Sequence, residues 1–205
     1  MSEDTITRER VNVQLEGARE LLEGASLCAA KGKSAPSELA CVALRVDGGR
    51  FIARSTDRYR LIMGSVAIEG EGEGEGEGAE MLISLPDIKR ILDLMRESTV
   101  GYLIIEREGE GVSFRINGNA RLTVEPMKNN FPSIANFEQL LEEPEQREPI
   151  GEIAFNPSLF ADFAKIVGKD SAVKVTFNGE RKPITIGLKS DKVEWRSLLM
   201  PMRTA

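Results

Sequence analysis

Any chemistry in this chain would have to come from carboxylates, two cysteines and basic side chains, because its 205 residues contain no histidine. That removes the commonest general base, the usual zinc ligand and every Ser-His or Cys-His nucleophile pair. The carboxylates are crowded rather than paired. Residues 69–80 carry six glutamates and residues 138–148 carry five. The first tract alternates Glu with Gly, which resists both helix and sheet and holds no fixed metal or acid–base geometry. Cys28 falls on an apolar helical pattern and Cys41 in an apolar strand pattern, the setting of buried reduced thiols. No phosphate-binding glycine loop, dinucleotide fingerprint, C-x-x-C or H-E-x-x-H motif is present. The chain does not read as an enzyme, and no cofactor is expected.

The elements that would carry a function repeat. A short apolar strand followed by an amphipathic helix begins at Val11, again at Met81 and again at Glu152, about 70 residues apart. The first copy is VNVQL-EG-ARELLEGASLCAAK, the second MLIS-LP-DIKRILDLMRE, the third EIAF-NP-SLFADFAKIVGK. Each is followed by three strand-like stretches: 39–46, 50–57 and 60–68 in the first; 101–108, 111–116 and 120–127 in the second; 172–178, 183–188 and 193–200 in the third. Gly48-Gly49, Gly109, Asn117 to Asn119 and Asn178-Gly179 supply turns. The second helix places Ile88, Ile91, Leu92 and Met95 on one stripe, and the third places Leu159, Phe160, Phe163, Ile166 and Val167. The expected fold class is α+β: three strand-helix-three-strand modules with helices on one face of antiparallel sheets. One helix buries only one face of a short sheet, so the modules should pair side by side.

The expected organisation is a two-module domain over residues 1–137, with modules at about 10–68 and 81–132. The Glu-Gly linker 69–80 joins these modules, an acidic linker follows at 138–149, and a single module occupies 150–205. No run of 18 apolar residues marks a membrane span, and the N-terminal MSEDTITRER lacks a signal pattern, so a cytoplasmic location is expected. The net charge of −6 hides an uneven distribution: the two acidic tracts carry −6 and −4, leaving +4 on the remainder. On the solvent stripes, the first helix offers Arg19, Lys31 and Lys33, diluted by Glu20 and Glu23. The second offers Lys89, Arg90 and Arg96 against Asp93, and the third Lys165 and Lys169 against Asp162. These are either ordinary solvated faces or a thinly basic surface for sequence-independent contact with phosphates.

Three short segments resemble a known family. Ser55-Thr56-Asp57-Arg58-Tyr59-Arg60-Leu61, Phe131-Pro132 and the terminal Leu198-Leu199-Met200-Pro201-Met202-Arg203 are similar, in this order, to the A-T-D-G-H-R-L, F-P and M-P-M-R-L segments of the bacterial DNA sliding clamp, the beta subunit of DNA polymerase III. The resemblance implies a ring around double-stranded DNA, helices inward, that acts as a processivity factor in DNA replication without catalysis. It implies that DNA polymerase and the clamp loader dock short hydrophobic motifs in a pocket made here by Thr56, Arg60, Leu61, Pro132, Phe137, Leu198, Met200, Pro201 and Met202. It also makes Arg19, Lys31, Lys33, Lys89, Arg90, Arg96, Lys165 and Lys169 the DNA-facing set. Arg58 and Tyr59 stand where the family has Gly and His, which could re-aim the pocket. The family's chain has six modules and two chains close its ring; three modules per chain imply a homotetramer, a compact form that would suit a phage or other mobile element. A clamp-like protein that binds replication partners without encircling DNA is the alternative, and a DNA-binding module with an open basic surface a further one.

Overall fold

The computed structural model describes residues 10–32, 34–69, 79–96, 98–117, 120–128, 130–142, 152–168 and 171–202. Most of the Glu-Gly tract, most of the second acidic tract, Lys33 and Lys169 lie outside the described residues. The first module consists of strand β1 (Arg10–Gln14), helix α1 (Leu15–Cys28) and strands β2 (Cys41–Asp47), β3 (Arg50–Thr56) and β4 (Arg60–Ala67). The second consists of β5 (Met81–Ser84), α2 (Leu85–Met95), β6 (Tyr102–Glu108), β7 (Gly111–Ile116) and β8 (Ala120–Val124), followed by α3 (Ile134–Leu141). The third holds α4 (Pro157–Val167), β9 (Lys174–Thr176), β10 (Ile184–Gly187) and β11 (Glu194–Leu199).

The helix starts follow local chemistry. The Ser84 side chain accepts from the Asp87 amide with Pro86 in the first turn, and Asn156 accepts from the Ser158 amide with Pro157 opening α4. The Gly48-Gly49 hairpin forms with φ of +54° and +73°, the conformation that favours glycine at both positions of a two-residue turn. Glu16-Gly17, which stands between the strand and helix stretches of the first copy, makes no turn, because α1 begins at Leu15 and runs through it. α1 also stops at Cys28, short of Lys31, where Ala29 turns extended.

The strand order is β1-β6-β7-β8 in one sheet and β5-β2-β3-β4-β11-β10-β9 in the other. The first strand of each of the first two modules therefore joins the sheet of its neighbour. Val13 pairs with Leu103, and Ile83 with Val42. Neither module closes alone, as the one-faced helices required. The third module continues the larger sheet through an antiparallel β4–β11 ladder, with Leu61 opposite Leu198.

α1 lies between α2 and α4 and packs on β2, β3 and β4. Helix-facing side chains, among them Leu21, Leu22, Phe51, Ile62, Ile88, Ile91, Phe114, Phe163 and Leu199, form one core. Full burial of a side chain of this size contributes roughly 1.5–3 kcal/mol. Leu92 and most of the α4 stripe are half-buried, with Phe163 alone fully enclosed on α4. Trp195 lies between helix and sheet: a Cβ at Gly24 of α1 would come within 2.5 Å of its ring, and Gly64 of β4 meets the ring from the other side.

Two expectations fail locally. The stretch from Glu138 was expected as linker, yet α3 runs to Leu141, capped by the Ser133 hydroxyl accepting from the Asn136 amide. The third module's first strand, 152–155, is reduced to one bridge between Ala154 and Met202.

Candidate docking pocket and basic helix face

Alternation along β4 divides its side chains between two surfaces. Ile62 points to the helices, while Leu61 and Met63 point to the opposite face of the sheet. The β4–β11 register sets Leu198 beside Leu61, and α3 lays Phe137 and Leu141 over both, with Ile52 and Phe131 at the margin. Leu61, Leu198 and Phe137 are thereby buried to 4%, 4% and 1% exposure. Phe131 stacks on Phe137 at 5.7 Å between ring centroids.

Arg54 organises this face. It is 1% exposed, its guanidinium stands 4.7 Å over the Phe137 ring and 5.6 Å over that of Phe131, and it donates to the Pro132 carbonyl at 3.2 Å and to the Glu80 carboxylate. Burying a guanidinium is costly unless it is paired, and here a carboxylate and two ring faces compensate. The sequence gives no sign of this role. An arginine on the outward register of β3 reads as solvated, and its cover, α3, lies in a stretch whose composition reads as linker.

The turn between β3 and β4 is tightly bonded. Thr56 Oγ1 donates to the Arg60 carbonyl at 2.7 Å and accepts from the Arg58 amide. Asp57 Oδ1 accepts from the amides of Tyr59 and Arg60, both at 3.0 Å. Arg58 takes a φ of +77°, a left-handed conformation that glycine adopts without cost. This gives a backbone reason for the glycine of the similar segment. Arg60 does not face Leu61. Its side chain, 5% exposed, turns to the helix side and donates to Asp57, Asp162, and the carbonyls of Leu27 and Leu159. Burial disfavours charge on Asp162, yet hydrogen bonds from Lys165 and Arg60 outweigh it and hold the carboxyl below its usual range.

Met200, Pro201 and Met202 continue past β11. The Met200 amide donates to the Tyr59 carbonyl and the Met202 amide to the Ala154 carbonyl, both at 2.7 Å. Their side chains line a cleft of about 500 Å³ with Ile153, Glu180 and Arg181, and Met200 and Met202 remain 39% and 56% exposed. The nine expected pocket residues thus separate. Leu61, Phe137 and Leu198 form a closed apolar patch beside Pro132; Met200, Pro201 and Met202 form an open rim; Thr56 shapes the turn; and Arg60 ties the helices to it.

On the helix side, Lys31, Lys89, Arg90, Arg96 and Lys165 are exposed. Three of them sit three residues from an aspartate: Arg90 on Asp87 at 2.8 Å, Arg96 on Asp93 at 3.0 Å and Lys165 on Asp162 at 2.5 Å. Arg19 is half-buried and donates to the carbonyls of Met95 and Ser98, closing the C-terminal end of α2. No group of three or more potential metal ligands occurs among the described residues, and none of their helices is long and apolar enough to cross a membrane.

No protein-family model and no curated protein matches this chain. Solved structures do. The DNA polymerase III beta subunit of Thermotoga maritima superposes with a TM-score of 0.75 at 17% identity, over 100% of this chain and 70% of its own. The DNA polymerase sliding clamp of Bacillus subtilis gives 0.74 at 14%, over 100% and 67%. The Pseudomonas aeruginosa sliding clamp bound to griselimycin gives 0.76 at 17%, over 100% and 68%. The chain has the sliding-clamp fold, in about two thirds of the length of these clamps.

Proposed function

We propose that this protein is a DNA sliding clamp, a non-enzymatic processivity factor that closes as a homo-oligomeric ring around duplex DNA and docks replication proteins on its outer face. The observation that carries the reading is the division of the larger sheet. The helices, with Lys89 and Arg90 on α2, Arg96 at its end, Lys165 on α4 and Lys31 just past α1, cover one face, and the apolar patch of Leu61, Phe137 and Leu198, with Met200 and Met202 beyond it, lies on the other. A surface that touches phosphates through lysine and arginine without a base-reading cluster suits a protein that must slide. The exposed Met200 and Met202 side chains give an adaptable seat for short hydrophobic motifs, here those of a polymerase and a clamp loader in the cytoplasm. Three modules per chain point to four chains in the ring.

The local Asp partners of Arg90, Arg96 and Lys165 support a second reading, a clamp-like protein that engages the same partners without encircling DNA, because paired cations attract phosphate less. One experiment separates the two. Protein loaded on closed circular DNA is retained at high salt and released when the circle is cut, and its native mass is four times the 22.6 kDa of the chain. Replacing Lys89, Arg90 and Arg96 with alanine weakens loading and low-salt association with DNA and lowers its salt slope while leaving that mass unchanged. Equal retention on linear and circular DNA overturns encirclement, and unchanged low-salt association of the triple variant overturns the assigned DNA face.

A further inference from the structure

In all three modules the first strand or its counterpart segment touches a residue two or three positions past the module's last strand. The Glu69 amide donates to the Asn12 carbonyl, the Met127 amide to that of Leu82, and the Met202 amide to that of Ala154. This makes Asn12, Leu82 and Ala154 equivalent positions, and Gln14, Ser84 and Asn156 the equivalent helix caps. In the first two modules the other edge of that strand is occupied: β1 pairs with β6, and β5 pairs with β2, each module lending its strand to the other. The third module has both halves of this exchange and a use for neither. Among the described residues, segment 152–155 makes only the Ala154–Met202 bridge, and no strand pairs with the outer edge of β9.

We infer that a second copy of this chain completes the third module by reciprocal strand exchange, segment 152–155 of each copy pairing antiparallel with β9 of the other. The register follows from the two internal examples. Gln14 stands opposite Tyr102 and Ser84 opposite Cys41, and carrying the β-ladders across places Asn156 opposite Ala172 of the second copy. Phe155 then meets Val173 and Ile153 meets Val175. Their counterparts are the apolar pairs Val13–Leu103 and Val11–Ile105 in one sheet, and Ile83–Val42 and Met81–Leu44 in the other. Those eight side chains are at most 6% exposed, whereas Ile153, Phe155, Val173 and Val175 are only half-buried. The same inward pattern is thus written in the third module without the partner that would bury it. Exposed Lys174 falls opposite Ala154 and diagonal to exposed Glu152, an added charge complement. A strand and a receiving edge on the same chain make a self-complementary, two-fold interface, and the exchange covers an edge that would otherwise invite indiscriminate pairing.

The test uses Ala154→Cys and Lys174→Cys as separate variants of the full chain, mixed and mildly oxidised. Within one chain these positions lie on opposite sides of the β11-β10-β9 strip, at least roughly 10 Å apart at the spacing of neighbouring strands, beyond disulfide reach. The native thiols, Cys28 and Cys41, are buried. A covalent dimer forms in the mixture and in neither variant alone. In parallel, Ile153→Asp halves the native mass measured by light scattering. Absence of dimer from the mixture, equal dimer from either variant alone, or a mass indifferent to Ile153→Asp each overturns the exchange; a monomeric unmodified protein does so as well, and leaves the β9 edge to a different protein. The inference rests on the strand pattern and not on DNA, so retention on circular DNA without the cross-link would reject the exchange and leave the clamp reading in place.

Discussion

Gly17 and Gly24 lie one above the other on the buried face of α1, and replacing each with alanine should change stability in opposite directions. Alanine is favoured over glycine by about 1 kcal/mol in a helix interior, where Gly24 lies, and by less in the first turn, where Gly17 lies. At Gly17 the added methyl finds Val66 Cγ1 at 3.4 Å and the Lys192 carbonyl at 3.8 Å, ordinary contact, so most of that gain survives. At Gly24 it falls 2.5 Å from Cη2 and 2.7 Å from Cζ2 of Trp195, with Ile166 Cγ2 at 3.3 Å. The ring has no room to move away, because it lies against Gly64 of β4, where an added Cβ would come within 2.5 Å of both Cζ3 and Cε3. Overpacking of a buried aromatic costs about 1–3 kcal/mol, which outweighs the propensity gain. Gly17→Ala is therefore expected to gain about 0.5–1 kcal/mol and Gly24→Ala to lose about 1 kcal/mol, a difference of a few degrees in Tm for a chain of this size. Urea unfolding followed by the fluorescence of Trp195, the chain's one tryptophan, and independently by circular dichroism, measures both. A Gly24→Ala protein at least as stable as the parent would refute the packing of Trp195 against α1.

Arg58→Gly should stabilise the protein by about 0.5 kcal/mol, since it relieves a left-handed residue and gives up only an exposed contact to Glu38 at 3.8 Å; part of the gain is offset by the freer unfolded chain. Chemical denaturation of the variant reads this directly, and a loss of stability would contradict the turn geometry. Burial pushes the Cys28 thiol up to about 12 and that of Cys41 to about 11, against 9.0 for a free thiol. Both therefore stay unreactive toward a thiol reagent at pH 8 until the protein unfolds. A raised folded-state pKa contributes stability that is intact below pH 9.0 and lost as pH rises toward 11, so the urea midpoint should fall in that window and fall less steeply in Cys41→Ala.

What the sequence disclosed was periodic and local. The stripe of α2, the Asn156-Pro157 start of α4, the Gly48-Gly49 hairpin and the threefold module could all be read from spacing, and one-sided helices already demanded that modules pair. The exchange of β1 and β5 could not be read, because nothing in VNVQ or MLIS says whether its partner lies forty residues away or ninety. α3 was obscured by composition: Phe137 and Leu141 are its buried residues, but they sit among glutamates and beside prolines. With the second half of α3 read as linker, nothing in the sequence marks Arg54 as covered, and Arg60 is expected in the apolar pocket although its register turns it toward Asp162. In each case the deciding contact is long in sequence, and residue type alone does not encode it.

The crossed first strands also bear on how the chain reaches its fold. Arg10 pairs with Glu106 and Gln14 with Tyr102, so β1 must wait for roughly ninety more residues before its neighbour exists. During synthesis, β2, β3 and β4 can form a meander while β1 waits for β6 to emerge, and β5 must reach back over the first module to β2. Closing loops of that length before their contacts form is entropically uphill and slows folding. The arrangement that prevents either of the first two modules from standing alone therefore also makes them fold together, as one cooperative unit with high contact order.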